Sequence, residues 1–299
     1  MNILVTGCSG FIGSHLCERL IELGYNVQGI DIRELPEDFK YRNAIDFCVQ
    51  DIREPLTINE IDVIIHLAAL PGVYNSTQQP LEYITTNIYG TVNVIEAALR
   101  GNCKKIIYAS SSTVYGNENN KDKLHTTNHL LSPYAISKKS CELLFDYYSK
   151  ECKCIGLRFF SVYGPRGRKD MAPYIFINKI LNGESILLYG NGSTKRDFTY
   201  ISDIVDGICN SVEYIDKNDF QHEIFNLGNS KSVTIKHFLS IIENQLDTKA
   251  HVRHLEKREC DSDFTHADLH KSSALLDYRP VISLEEGISN TITWMKKNV

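Results

Sequence analysis

With 299 residues, 42% of them hydrophobic and 23% charged, the chain has the balance of an ordinary soluble protein and is long enough for one large domain or two modest ones. Its net charge of −5 leaves no basic excess to hold a nucleic-acid backbone, and no apolar run approaches the roughly 20 residues of a membrane span. The nine cysteines include no Cys-x-x-Cys pair, and Cys152 and Cys154 have no matching pair elsewhere, which points to reduced thiols in a cytoplasmic protein rather than to zinc or disulfides.

The first predicted strand, "NILVTG" (2–7), begins at once; the opening "MNILVTGCSGFIG" has no basic leader and does not read as a signal peptide. A helix follows at 12–23, then "NVQGID" (26–31), then "VIIHLAA" (63–69), whose apolar run suits a strand covered on both faces. Helix 84–100, strand "KIIYASS" (105–111), helix 133–151 and strand "CIGLRFF" (154–160) continue the alternation. Such alternation predicts βαβ units, and hence an α/β, Rossmann-type doubly wound parallel sheet over residues 1–164. From 165 to 299 the texture changes, with Pro and Gly between 165 and 195 and charges mixed with short apolar pieces at 250–285. A smaller mixed α/β lobe is predicted there. Residues 197–229 carry "DFTYISDIVDGI" and "EIFNLGN", which read as a helix and a strand returning to the first domain. No internal repeat or low-complexity segment interrupts the chain.

"TGCSGFIG" puts Gly7, Gly10 and Gly13 between the first strand and the first helix. A tight turn there needs positive φ, and a pyrophosphate needs bare backbone N–H groups at a helix N-terminus. A second strand then ends in Asp31, close to the spacing at which a carboxylate accepts the ribose hydroxyls of a dinucleotide. Asp31, with Ile32 and Arg33 behind it, is therefore assigned to the ribose end of the cofactor. The carboxylate repels the extra phosphate of NADP and favours NAD; Arg33 is the counter-signal, since arginine grips phosphate.

"YASSSTVYG" (108–116) ends a strand, and ligands of open α/β sheets bind beyond such ends. Ser110, Ser111, Ser112 and Thr113 are expected to border the crevice. The next helix opens with Ser132 as its cap and Pro133 in its first turn, and carries Tyr134 and Lys138 on one face, one turn apart. A free tyrosine, with a pKa of about 10, is a poor base at neutral pH, but a nearby ammonium and the positive nicotinamide of NAD⁺ both favour the phenolate. The set predicts Tyr134 as base, Lys138 as the tuning charge and Ser111 as the group that shares the proton from a sugar hydroxyl while hydride leaves the same carbon.

The motifs "TGCSGFIGSHL", "HLAA" (66–69), "NIYGTVNVIEAA" (87–98), "SSSTVYG", "SPYAISK", "LRFFSVYGP", "RDFTYISDIVDGI" and "FNLGN" run in order along nearly the whole chain. The chain resembles the extended short-chain dehydrogenases/reductases of the NAD-dependent nucleotide-sugar epimerase/dehydratase family. Through "RFFSVYGPRGRKDMA", "ILNGESILLYGNGSTKRDFTYISDIV" and "FTHAD" it resembles in particular the UDP-glucuronate 4-epimerases.

The resemblance implies that Phe11, Ile12, Asp31, Asp51, Ile52, Leu67, Ala68, Ala69, Asn87, Tyr134, Lys138 and Phe160 line the NAD site. It implies a UDP-sugar site with Arg196, Arg258 and Asp261 on the UDP portion. To these it adds Met171, Ala172, Leu187 and Tyr189, and hydroxyls from Ser111, Ser112, Thr113 and Ser161 near the sugar.

The implied reaction has Tyr134 removing the 4′-hydroxyl proton as NAD⁺ takes the C4′ hydride. The 4′-keto sugar then turns over and the hydride returns to the opposite face. The helices at 84–100 and 133–151 show apolar residues at helical spacing, among them Val92, Ile95, Leu99, Leu143, Leu144 and Tyr147. The resemblance implies a homodimer joined through a four-helix interface of such helices, while packing on the subunit's own sheet is an equal alternative for half of these residues.

Thr113 stands where related dehydratases and decarboxylases carry an acid, which favours plain epimerisation, and Ser161 agrees with the glucuronate type. Tyr74 departs from it, since an Arg is usual there. A UDP-galactose or UDP-N-acetylhexosamine 4-epimerase is the alternative enzyme. A catalytically idle NAD-binding sensor is the alternative of another class, against which the intact Ser111, Tyr134 and Lys138 argue.

Overall fold

A computed structural model describes residues 1–116, 129–258 and 260–298. The strands are β1 (Asn2–Thr6), β2 (Asn26–Asp31), β3 (Ile45–Val49), β4 (Val63–His66), β5 (Lys105–Ser111), β6 (Lys153–Phe159), β7 (Ser161–Tyr163), β8 (Ile186–Tyr189), β9 (Lys195–Tyr200), β10 (His222–Leu227), β11 (Ser232–Thr234) and β12 (Val252–Leu255). The helices are α1 (Phe11–Glu22), α2 (Val73–Gln78), α3 (Pro80–Tyr83), α4 (Gly90–Arg100), α5 (Pro133–Tyr148), α6 (Ala172–Leu181), α7 (Ile201–Lys217), α8 (Ile235–Leu246), α9 (His270–Leu275) and α10 (Leu284–Asn298).

Seven strands form one sheet in the order β10-β6-β5-β4-β1-β2-β3, and every pairing in it is parallel. The fold is a Rossmann-type doubly wound sheet with a smaller mixed lobe. In that lobe β9 pairs antiparallel with β11 and parallel with β7, while β8 and β12 form a parallel ribbon. Among the described residues no helix is long and apolar enough to cross a membrane.

Period-two alternation builds the core on both sides of the sheet. Ile3, Val5, Val63 and Ile65 face a core shared with Leu16 and Leu20 of α1 and Ile204, Ile208 and Val212 of α7. Leu4 and Ile64 face the opposite core, with Val94, Ile95 and Ala98 of α4 and Phe145 of α5. Strand β4 is buried at every residue, as its apolar run requires. At the edge, β3 buries only Ile45 fully, so its sequence carries no strong strand signal.

The helix expected at 84–100 opens with a wider π-turn at Ile84–Tyr89 before α4 begins. The α5 start is as its sequence predicts: Ser132 Oγ accepts the Ala135 N–H at 3.1 Å, with Pro133 in the first turn.

Of the apolar residues on these two helices, Ile95 is fully buried against the sheet, and Leu99 and Leu144 pack on the same core, which is the alternative of packing on the subunit's own sheet. A helix beside a sheet must bury one stripe there, and these residues lie on it. Leu143 and Tyr147 are exposed, as are Leu81, Ile84 and Tyr89.

One buried ion pair fastens α5 to the sheet. Arg158 on β6 donates to both carboxylate oxygens of Glu142, at 2.7 and 2.8 Å, and Ser110 Oγ donates to the same carboxylate at 2.6 Å. Burial alone would raise the Glu142 pKa, but the Arg158 hydrogen bonds and charge, with Ser110, hold it below its ordinary value. Arg158 also lies over the Tyr115 ring, its guanidinium carbon 4.7 Å from the centroid. Removing one partner of such a pair typically costs about 3–5 kcal/mol, a large share of a domain's stability.

Candidate active site

The crevice lies between β1 and β4, where the strand order reverses. Gly7 has φ +74° and donates to Ile30 O at 2.8 Å. A Cβ on Gly7 would sit 2.7 Å from the Ala68 nitrogen, and one on Gly13 would sit 2.0 Å from Gly7 O. Both positions therefore exclude any side chain. Gly10 caps α1 in extended conformation with no side-chain hydrogen bond, and the first intrahelical bond is Ser14 N–H to Gly10 O at 2.9 Å. The amides of Phe11, Ile12 and Gly13 thus have no helical acceptor and stay available to an anion.

Asp31 closes the far side of this turn. Its buried carboxylate accepts the Ser9 and Arg33 amides, each at 3.1 Å. The Arg33 side chain is 68% exposed, with its Nε 3.7 Å from Asp31. Ile32 is an exposed rim residue. Asp51 is gripped by the Arg53 guanidinium, with contacts of 2.7 to 3.1 Å, whose hydrogen bonds hold its carboxyl below the usual range. Ile52 is buried beneath Gly90, where a Cβ would meet its Cδ1 at 2.6 Å.

Leu67, Ala68 and Ala69 follow β4 directly, and Ala68 N–H donates to Thr6 Oγ1 at 3.2 Å. Asn87 holds the next stretch: its Oδ1 accepts Leu70 N–H, and its Nδ2 donates to Leu70 O and to Ser137 Oγ. Both amide hydrogens are spent, so Asn87 shapes the crevice by fixing the loop to α5.

The glycine cradle, the open helix end and Asp31 fit a dinucleotide. The groups expected to react lie around the carboxyl end of β5. Strand alternation splits the serines there. Ser110 points away to Glu142, contrary to the expectation that it borders the crevice, while Ser111 turns the other way. Ser111 Oγ accepts both the Thr113 N–H at 3.2 Å and the Thr113 hydroxyl at 2.9 Å. With its lone pairs taken, its own O–H is left to donate outward. Thr113 spends its hydroxyl proton on Ser111 in this arrangement. Among the described residues, Lys138 Nζ donates to Ala109 O alone, at 2.8 Å. The Tyr134 ring meets Tyr83 edge-on at 6.2 Å, and the Tyr83 hydroxyl is anchored on Pro71 O at 2.7 Å.

Strand register brings together the residues expected near the sugar. Ser111 pairs with Phe159, so Ser112, Thr113, Phe160 and Ser161 leave adjacent strand ends. Phe160 is buried with Val114, Tyr115 and Ala267. Met171 and Ala172 lie at the start of α6, with no side-chain cap. Further out, Leu187 is exposed on β8, Arg196 lies on β9, and Arg258 stacks on Tyr189 with Asp261 bonded to its backbone.

Sequence reading missed Tyr83, which buttresses Tyr134, and Arg168, which pairs with Asp170 at 2.6 Å and packs over Gly72. "YGPRGR" was the only signal for Arg168, and Tyr83 had none. It also missed a relay under the crevice. Thr91 Oγ1 donates to Asn87 O, so it must accept from His66 Nε2 at 3.0 Å. His66 Nδ1 then accepts from Thr6 Oγ1 at 2.7 Å.

The model of the NAD dependent epimerase/dehydratase family matches residues 3–228. The chain belongs to that family; its cofactor is NAD, and its class is that of the NAD-dependent nucleotide-sugar 4-epimerases. An uncharacterized protein of Methanocaldococcus jannaschii is 42% identical over 99% of this chain and 97% of its own length. A UDP-glucuronate 4-epimerase of Thermodesulfobacterium geofontis is 35% identical over 99% of this chain and 96% of its own. Among solved structures, the UDP-glucuronic acid 4-epimerase of Bacillus cereus with UDP-glucuronic acid and NAD has a TM-score of 0.91 and 34% identity, covering 100% of both chains.

The relay makes a pH prediction. Burial, then the Lys138 charge, push the His66 pKa down to about 3. The unfolded chain, with an ordinary histidine near pKa 6.5, binds this proton first as pH falls. Stability should therefore decline on acidification from about pH 6.5 toward 3, with a slope approaching about 1.4 kcal/mol per pH unit for this one group. Denaturant unfolding of wild type and His66→Gln between pH 7 and 5 checks it. The gap between the two proteins must narrow as pH falls, and a constant gap would refute the assignment.

Proposed function

We propose that the chain interconverts UDP-glucuronate and UDP-galacturonate without loss of CO₂. The observation that carries this is the set of uncharged hydroxyls on adjoining strand ends, Ser111 at the end of β5, Ser112 and Thr113 just beyond it, and Ser161 just beyond β6. A 4′-keto uronic acid is a β-keto acid, so its carboxylate must be kept out of the geometry in which the C–C bond breaks. Ser112 and Ser161, whose hydroxyl protons are not spent on Ser111 or on the 4′ oxygen, hold the anion and add no charge, while the Thr113 bond to Ser111 directs the Ser111 hydroxyl.

Tyr134 takes the proton from the 4′-hydroxyl and later gives it back. Ser111 supports the same oxygen with the O–H that Thr113 leaves free. Lys138, anchored on Ala109 O, puts a positive charge one helical turn from the phenol. NAD⁺, when bound, accepts the C4′ hydride and returns it. Arg196 and Arg258 grip the diphosphate.

A second reading, a neutral-hexose 4-epimerase, is favoured by Tyr74, which replaces the Arg of the glucuronate pattern. Comparing kcat/KM for UDP-glucuronate, UDP-galactose and UDP-N-acetylglucosamine decides between them. UDP-glucuronate should lead by tenfold or more, about 1.4 kcal/mol. A neutral sugar ahead by that margin overturns the first reading, and accumulating UDP-pentose would make the enzyme a decarboxylase.

Tyr134→Phe removes only the phenol oxygen. Turnover should fall by at least about 10²–10⁴-fold with the fold and bound NAD retained. Near-wild-type epimerisation by this variant would remove Tyr134 from the mechanism.

We also propose a cytoplasmic homodimer. Leu81, Ile84, Tyr89, Leu143 and Tyr147 are apolar and exposed on the α3–α5 side, which suits an isologous helical interface. Seven of the cysteines are buried thiols, as in a reducing compartment. Light scattering at micromolar concentration should give the mass of two chains, and Tyr147→Glu should shift it toward one. A wild-type monomer would sink the interface.

A further inference from the structure

The Arg258 guanidinium is held by both of its faces. Its central carbon lies 3.7 Å from the Tyr189 ring centroid and 4.1 Å from that of Tyr74. The two rings come from different places. Tyr189 ends β8, and Arg258 follows β12, which pairs with β8 through Leu255 and Tyr189. That contact is local to the smaller lobe. Tyr74 lies on α2, on the connection after β4 of the main sheet. The Tyr74–Arg258 contact therefore spans the cleft between sheet and lobe.

A guanidinium is planar, and its N–H donors lie in the plane. Its faces are weakly hydrated and suit an aromatic ring, so stacking leaves the donors unspent. Among the described residues, the Arg258 side chain makes no ion pair or hydrogen bond. An arginine ordered before its ligand arrives loses less rotamer freedom on binding. An arginine at 74, as in the glucuronate pattern, would instead set two like charges face to face.

We propose that Tyr74 is a positioning residue for the nucleotide: it clamps Arg258 against Tyr189, with the in-plane donors free to grip the diphosphate of the UDP-sugar. The proposal rests on the assignment of Arg258 to the diphosphate. Tyr74 is 45% exposed, so its replacement opens no core cavity and leaves the fold in place.

Calorimetric titration of the NAD-loaded enzyme with UDP tests it, on wild type, Tyr74→Phe and Tyr74→Leu, each with and without Arg258→Ala. Tyr74→Phe keeps the ring face and should bind within about twofold of wild type. Tyr74→Leu should bind about two- to five-fold more weakly and raise KM with kcat unchanged. In the Arg258→Ala background, Tyr74→Leu should have no further effect. Wild-type affinity in Tyr74→Leu, or losses that simply add, would overturn the clamp. A wild-type enzyme that does not bind UDP would overturn the clamp and the UDP-sugar assignment together. UDP binding that follows the expected cycle without turnover of any UDP-sugar would support the clamp while defeating the proposed reaction.

Discussion

Gly7 and Ala68 approach so closely that a single added carbon at residue 7 would come within 2.7 Å of the Ala68 amide. This contact joins the loops after β1 and β4, at the point where the strand order turns back. It sets the floor of the crevice. Because the loops touch there, α1 begins with its unpaired amides aimed across the floor, and Leu67–Ala69 form the opposite bank. Thr6 strengthens the junction by accepting from Ala68 N–H and donating to His66. The chain beyond, through Asn87 and Ser137, carries the constraint to α5, and so to Tyr134 and Lys138.

Strand β5 serves stability and chemistry with successive residues. Ser110 faces the buried Glu142–Arg158 pair, and Ser111 turns to the other side, where it accepts from Thr113. The same ion pair fixes α5 from below while Lys138 reaches back to Ala109 O from above. Both holds follow Tyr134 along α5, and the Ser132 cap fixes the helix just before it. Tyr83, anchored on Pro71 O, adds a lateral stop for the Tyr134 ring. Precise placement of a general base needs this kind of surround, since rate falls steeply with small displacements.

The smaller lobe carries Arg196 and Arg258, the residues proposed to hold the diphosphate. Asp197 is its internal tie: fully buried, it accepts the amides of Asn229, Ser230 and Ala267 at 2.7 to 2.9 Å. Burial raises its pKa and these backbone donors counter that rise, so the carboxylate is a structural node within the lobe. Arg196 and Arg258 are displayed from the strands and turns that this node organises. Among the described residues, Tyr74 is the aromatic ring from the main sheet's loops that lies on one of them.

By itself the sequence determined whatever is local. The glycine spacing, the alternation that makes buried strands, the Ser132–Pro133 helix start and the Tyr134–Lys138 pair are each written within a few residues, and each appears in the structure as its local physics requires. The order of these signals also made the family legible. The tertiary structure alone decided which neighbours meet. Ser110 reads like Ser111 until pleating sends it to Glu142; Ile95 reads like an interface residue until the sheet claims its face. Tyr83 against Tyr134, the His66 relay and Tyr74 over Arg258 join residues far apart in the chain. Such contacts leave no periodic trace, because they arise only when strands and helices with independent local patterns are packed into one another.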